Sequence, residues 1–297
     1  MPYNGNGEVA LDYTENVELE GMNLIGNPFV CNAYLATETG TPLAYYKMND
    51  EGNGFEAVTG AAIAPMEGIF VQATDTVQSF KFTRTAPAAA PGQLNINLAQ
   101  AVSTRGEKGA TDNAIIRFGE GNTLEKFNFR ENNAKVYIPM DNKDYAVVNA
   151  GQTGEIPVNF KAEKNGSYTL SFTNQEVTFS YLHLIDNLTG NDVDLLANPS
   201  YNFNAQTTDY ASRFKLVFAT GSSVEGDSFG FINGAGNLSI FGIEGKATIQ
   251  VMDITGRILS SETFSGSYEK KLNVAPGVYV MRLINGNDVK VQKIVVR

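Results

Sequence analysis

Runs of alternating apolar and polar residues recur along the chain, and few segments favour a helix. The alternation is cleanest in residues 166–174, where Tyr168, Leu170 and Phe172 share one face and Ser167, Thr169, Ser171 and Thr173 share the other. That pattern predicts a strand with one face in a core and one in water. Around it, residues 114–118, 135–140, 144–150, 155–162, 179–186, 200–205 and 212–219 are rich in β-branched and aromatic residues. The turn-prone stretches MDNKD, EKNG, NLTGND and TTD separate them. So many short strands at such close spacing match a β-sandwich or jelly roll.

Residues 1–84 read as β-rich too, with VELEGMNLIG, GIFVQAT and QSFKFTR as strands. The segment is short for an independent sandwich, so it is expected to contribute strands to the next domain or pack closely on it. PYNGNGEVALDY reads as a hairpin turn whose preceding strand is missing. Two breaks divide the chain. Residues 83–93 are Pro/Ala-rich, and proline removes ladder donors. Residues 220–236 are rich in Gly and Ser and read as a linker. The expected organisation is therefore 1–84 packing with 94–219, a linker at 220–236, and a separate domain at 237–297.

Composition sharpens this into an all-β reading. There are 29 Gly, 13 Tyr and 18 Phe and no Trp, a mixture that favours strands joined by tight turns. The net charge of -10 argues against a nucleic-acid partner, which needs clustered Lys and Arg. The charge is uneven: residues 232–297 hold 8 Lys+Arg against 5 Asp+Glu, net +3, leaving 14 against 27, net -13, for residues 1–231. No apolar run approaches the length that spans a bilayer. The single cysteine, Cys31, excludes an intrachain disulfide, which points weakly to a reducing compartment. The first residues lack the basic start and apolar core of a signal peptide. Taken alone, these features describe a cytoplasmic protein.

The last segment overturns that description. NLSIFGI, KATIQVMD, GRILSSETF, YEKKLNV, GVYVMRLI and VKVQKIVVR read as strands, joined by DITGR, APG and NGND turns. In DITGR, Asp253 is placed to hydrogen-bond the turn backbone and Gly256 to tolerate positive φ. In GVYVMRLI, Val278, Val280 and Arg282 alternate with Tyr279, Met281 and Leu283. VMDITGRIL, then LNVAPGVYVMRL, then KIVVR, in that order, resemble the C-terminal sorting domain of type IX secretion cargo. The resemblance covers about 60 residues and carries an Ig-like sandwich fold.

That resemblance implies an exported protein of a Bacteroidetes-type bacterium, secreted or held at the cell surface. Its implied partners are the type IX machinery and a sortase-like peptidase that removes the domain, with attachment to a surface lipopolysaccharide or release. The matching motif positions are Asp253, Gly256, Arg257, Gly277, Val278, Tyr279, Lys293 and Arg297. The missing signal peptide departs from the family and is read as a sign of a truncated chain. Upstream, residues 23–35 with 64–74, and residues 181–196 with the strands after them, resemble β-domains that precede such tails in large surface proteins. This second resemblance implies an architecture and brings no activity.

Weighed one by one, the candidate chemical groups favour structural roles. His183 is the only histidine and lies on a strand face with Phe179, Tyr181 and Ile185, the setting of a packed, hydrogen-bonded residue. Cys31 is expected to act as a small buried hydrophobe. Asp186, Asn187, Asn191, Asp192 and Asp194 offer oxygens for calcium, but the EF-hand spacing is absent and Asx turns explain the same residues; Asp186, Asp192 and Asp194 stand as a weak calcium candidate. Gly-rich phosphate loops are missing. The overall expectation is an all-β chain: a β-sandwich or jelly-roll body followed by a small Ig-like β-sandwich sorting domain. No catalysis and no cofactor are expected, and the body is read as an interaction or spacer module. The alternatives are an adhesin that binds surface glycan or protein, and the non-catalytic end of a larger secreted enzyme.

Overall fold

The computed structural model describes residues 8–14, 19–37, 40–49, 52, 54–74, 79–87, 91–101, 109–127, 133–221, 229–232, 237–241, 243, 245–266 and 268–296. Among them every regular element is a strand, so the protein is all-β. No helix among the described residues is long and apolar enough to cross a membrane. The chain divides into two compact units: residues 1–150, 158–177 and 200–211 in the first, and 151–157, 178–199 and 212–297 in the second.

The first unit begins with β1 (Glu8–Ala10), β2 (Met22–Gly26), β3 (Tyr34–Ala36), β4 (Ala44–Met48), β5 (Phe55–Thr59), β6 (Gly68–Gln72) and β7 (Ser79–Thr83). They form two sheets, ordered β1-β7-β3 and β2-β6-β4-β5. Between the sheets lies a core of Ile25, Leu35, Tyr45, Ile69, Val71, Phe80 and Phe82. The other face of the second sheet is covered as well. Ala44, Tyr46 and Ala57 pack with Ile115, Leu124, Phe127 and Val147 of the following strands. Tyr45 and Tyr46 are 0% and 2% exposed, so β4 is buried on both faces. A strand buried on both faces does not alternate, which is why the pattern along the sequence missed it.

The chain continues through β8 (Gly92–Gln100), β9 (Thr111–Phe118), β10 (Leu124–Glu125), β11 (Lys135–Met140), β12 (Lys143–Asn149), β13 (Thr153–Lys161) and β14 (Gly166–Gln175). Next come β15 (Phe179–Asp186), β16 (Asn191–Asp194), β17 (Ser200–Ala205) and β18 (Phe214–Thr220). In the first unit the end of β13 pairs with β11, and the order runs on through β12, β9, β8, β14 and β17. The β12–β9 pair is parallel; the other pairs in this run are antiparallel. The β11–β12 hairpin turns on Asp141 and Asn142, at φ 50° and 63°, as a two-residue turn matched to strand twist requires. In β14, Tyr168, Leu170 and Phe172 point into the core while Ser167 and Thr173 are exposed, as the alternation predicts.

Two asparagines fasten the N-terminal sheet to β9 and its following loop. Asn113 takes the Ala57 amide and donates to the Ala57 carbonyl, at 2.9 and 2.7 Å. Asn122 does the same for Ala44, at 2.8 and 3.1 Å. Each side-chain amide thereby acts as one rung of a missing strand.

The second unit holds the β16-β15-β18 run and the tail strands: β19 (Phe229–Ile232), β20 (Asn237–Phe241), β21 (Lys246–Asp253), β22 (Ile258–Ser265), β23 (Tyr268–Lys271), β24 (Gly277–Asn285) and β25 (Asp288–Val296). The tail is a two-sheet sandwich, β19-β20-β23 over β22-β21-β24-β25. Leu238, Ile240, Ile249, Val251, Met281, Leu283 and Ile294 fill its core. β19 lies inside the stretch read from sequence as a linker. Phe229 and Ile232 suit a strand, but the surrounding Gly and Ser masked them, and antiparallel pairing with β20 settles their state. Residues 222–228 and 233–236 lie outside the described residues.

Candidate functional site

The sorting-motif residues come together at one end of the β22-β21-β24-β25 sheet. β21 ends at Asp253, whose register partner on β24 is Tyr279. On the far side of β24, Gly277 faces Val296, Val278 faces Val295 and Val280 faces Lys293. Three motifs separated by many residues along the chain thus meet across three neighbouring strands. Arg297, the last motif position, lies outside the described residues.

The turn between β21 and β22 is organised by one carboxylate. Oδ1 of Asp253 accepts from the Thr255 amide at 3.0 Å, the Thr255 hydroxyl at 2.6 Å and the Arg257 amide at 3.1 Å. Arg257 Nε donates to Oδ2 at 3.0 Å. The backbone closes with Asp253 N to Arg257 O and Gly256 N to Asp253 O, both 3.0 Å. Gly256 sits at φ 86°, the left-handed region a side chain resists. The Thr255 hydroxyl, then the turn amides and the guanidinium, hold the Asp253 carboxyl down at about 2. The turn is therefore a rigid, charge-paired projection.

Tyr279 packs against the tail core and its hydroxyl donates to Ala275 O at 2.6 Å, fixing the APG loop before β24. A Cβ on Gly277 would meet the Tyr279 ring at 3.6 Å, ordinary contact. Around these groups several large apolar side chains face solvent: Ile254, Ile258, Leu259, Val278 and Val295. Reading motifs alone missed this apolar rim. Its signal is present in β25, where the exposed Val295 alternates with the buried Ile294 and Val296.

In the body the calcium candidates are directed elsewhere. Asp186 is fully buried and bidentate with Arg213, Nε to Oδ1 at 3.1 Å and Nη2 to Oδ2 at 2.9 Å. Asp192 meets His183 Nδ1 at 2.7 Å, and Asp194 takes the Leu196 amide at 2.9 Å. Three carboxylates with three separate protein partners do not form one oxygen cage, and no metal-binding cluster of His, Cys, Asp or Glu occurs among the described residues.

His183 stacks flat on Tyr181, centroids 4.0 Å apart. Burial first, then the neighbouring Asp192 charge, raises the Tyr181 phenol well above its ordinary range. Cys31 departs from expectation: it is exposed. It follows a bend at which the Asn27 side chain donates to the Cys31 carbonyl at 2.9 Å, so the backbone is held while the thiol faces outward.

Comparison with known proteins agrees with the tail. Residues 233–297 match the family described as "Secretion system C-terminal sorting domain". A search of curated proteins finds no match. Among solved structures, a chain titled "Biofilm associated protein - BSP domain" aligns over 100% of this chain and 67% of its own length, at 9% identity and a TM-score of 0.23. That likeness is too distant to carry an argument.

Proposed function

We propose that this chain is a non-catalytic section of an exported protein, in which an acidic β-body is carried outward and anchored at the cell surface by its sorting domain. The premise is established: the C-terminal sorting domain marks a secreted or cell-surface protein that engages the type IX secretion machinery. The observation that carries the rest is the geometry of residues 233–297. Motifs from β21, β24 and β25 converge on one sheet end, around a charge-paired turn rimmed by exposed Ile254, Ile258 and Val295. Exposed apolar groups beside fixed polar ones are the usual make-up of a protein-recognition surface. In this reading the body is a spacer or interaction module. Its sheets expose Asx turns and strand faces, and its only histidine is occupied by Asp192.

The test is to fuse residues 233–297 to a periplasm-targeted reporter in a type IX-competent host. Surface display is expected, together with its loss when Ile254 and Val295 are both replaced by Asp. A reporter that stays periplasmic with an intact, folded tail refutes the sorting role. Display that survives the double replacement refutes the apolar rim as the recognised surface.

A further inference from the structure

One pair of charged side chains in the first unit is more deeply buried than a surface module requires. Lys126 follows β10, and Asp112 is the second residue of β9. Lys126 Nζ lies 2.7 Å from Asp112 Oδ1, with side chains 3% and 12% exposed. Nζ also donates to the Asn113 carbonyl at 2.8 Å. The second carboxylate oxygen, Oδ2, accepts from the Val136 amide at 2.8 Å. The Lys126 amide donates to the Asp144 carbonyl at 2.7 Å, and Phe127, the next residue, packs against Tyr46 at 5.4 Å between ring centroids. An amine and a carboxyl group are thus held in contact with little water.

We propose that Lys126 and Asp112 are the site of a self-formed isopeptide cross-link, an amide between Lys126 Nζ and Asp112 Cγ. Three features of the site match what the reaction needs. Contact geometry replaces a bimolecular encounter with an intramolecular one. The Val136 amide is aimed at the oxygen on which negative charge develops. Burial raises the Asp112 carboxyl, which favours the neutral acid form.

The step balances without an oxidant. A proton passes along the Nζ–H to Oδ1 hydrogen bond, leaving a neutral amine and a carboxylic acid. The nitrogen lone pair attacks Cγ, and the C=O π pair moves to Oδ2 under the Val136 amide. Nζ then yields a proton directly to the Oδ1 hydroxyl it already faces, 2.7 Å away. The Cγ–Oδ1 bond breaks, and water leaves. One C–N bond has formed, one C–O bond has broken, and two buried charges have become one neutral amide, relieving their desolvation cost. The link ties β9 to the chain after β10, in a protein whose single cysteine permits no intrachain disulfide.

Mass spectrometry of the full folded chain tests this. The expected intact mass is lower than the sequence mass by one water, and tryptic digestion is expected to give a branched peptide joining residues 112 and 126, uncut after Lys126. Lys126→Arg is expected to restore the full sequence mass. A wild-type chain at full mass that trypsin cleaves after Lys126 overturns the proposal. So does a water deficit that persists in Lys126→Arg, because that deficit marks a succinimide at Asp112–Asn113.

Discussion

Replacing Arg213 by Ala isolates the energetic role of the buried pair in the second unit. Asp186 is 0% exposed and the Arg213 side chain 2%, so removing the guanidinium strands a carboxylate where water cannot reach it. Breaking one partner of such a pair typically costs about 3–5 kcal/mol. The Leu188 amide, 3.0 Å from Asp186 Oδ1, remains and recovers part of that. The working expectation is about 3 kcal/mol. Removing both charges together, as Asp186→Leu with Arg213→Met, is expected to cost no more than ~1 kcal/mol, because the desolvation penalty goes with the pair. The difference between single and double variants is the coupling. Urea unfolding reports it, followed by far-UV circular dichroism and tyrosine fluorescence, as the chain has no tryptophan. Hydrogen exchange at the Leu184 and Val217 amides localises it to β15 and β18. A single variant that loses less than ~1 kcal/mol, or a double variant as unstable as the single one, refutes the account.

Three further outcomes follow from the tail and the body. The Asp253 carboxyl, lowered from 3.8 to about 2, adds stability that is complete above pH 4 and lost as pH falls toward 2; acid unfolding of the isolated tail is expected to show this loss, and Asp253→Asn to flatten it. Gly256→Val places a β-branched residue at φ 86° in open space, so only the backbone strain counts; a fall of ~1–2 kcal/mol in tail stability by urea titration is expected, and smaller for Gly256→Asn. Asn113→Ala leaves both polar groups of Ala57 without their partner; a loss of ~1–3 kcal/mol, with faster exchange at the Ala57 amide, checks it.

What the sequence determined by itself was everything governed by local periodicity and local turn chemistry. The tail strands from β20 onward, the β14 face pattern and the DITGR turn depend on neighbours a few residues away, so they were legible as read. β15 spans residues 179–186 and β17 spans 200–205, the ranges expected from their β-branched and aromatic content. Tertiary structure alone decided what depends on distant partners. β4 was missed because packing on both faces removes its alternation; β8 was missed although Leu94, Ile96 and Leu98 alternate with Asn95 and Asn97, because it starts inside the Pro/Ala-rich stretch read as a break. Asp186 was a weak calcium candidate explained equally by an Asx turn, and only the fold brings Arg213, 27 residues on, to both its oxygens. The motif residues of the tail were named from sequence, but their meeting at one sheet end required the β21–β24–β25 register. Lys126 and Asp112 carry no sequence signal at all, since only the fold removes the water between them.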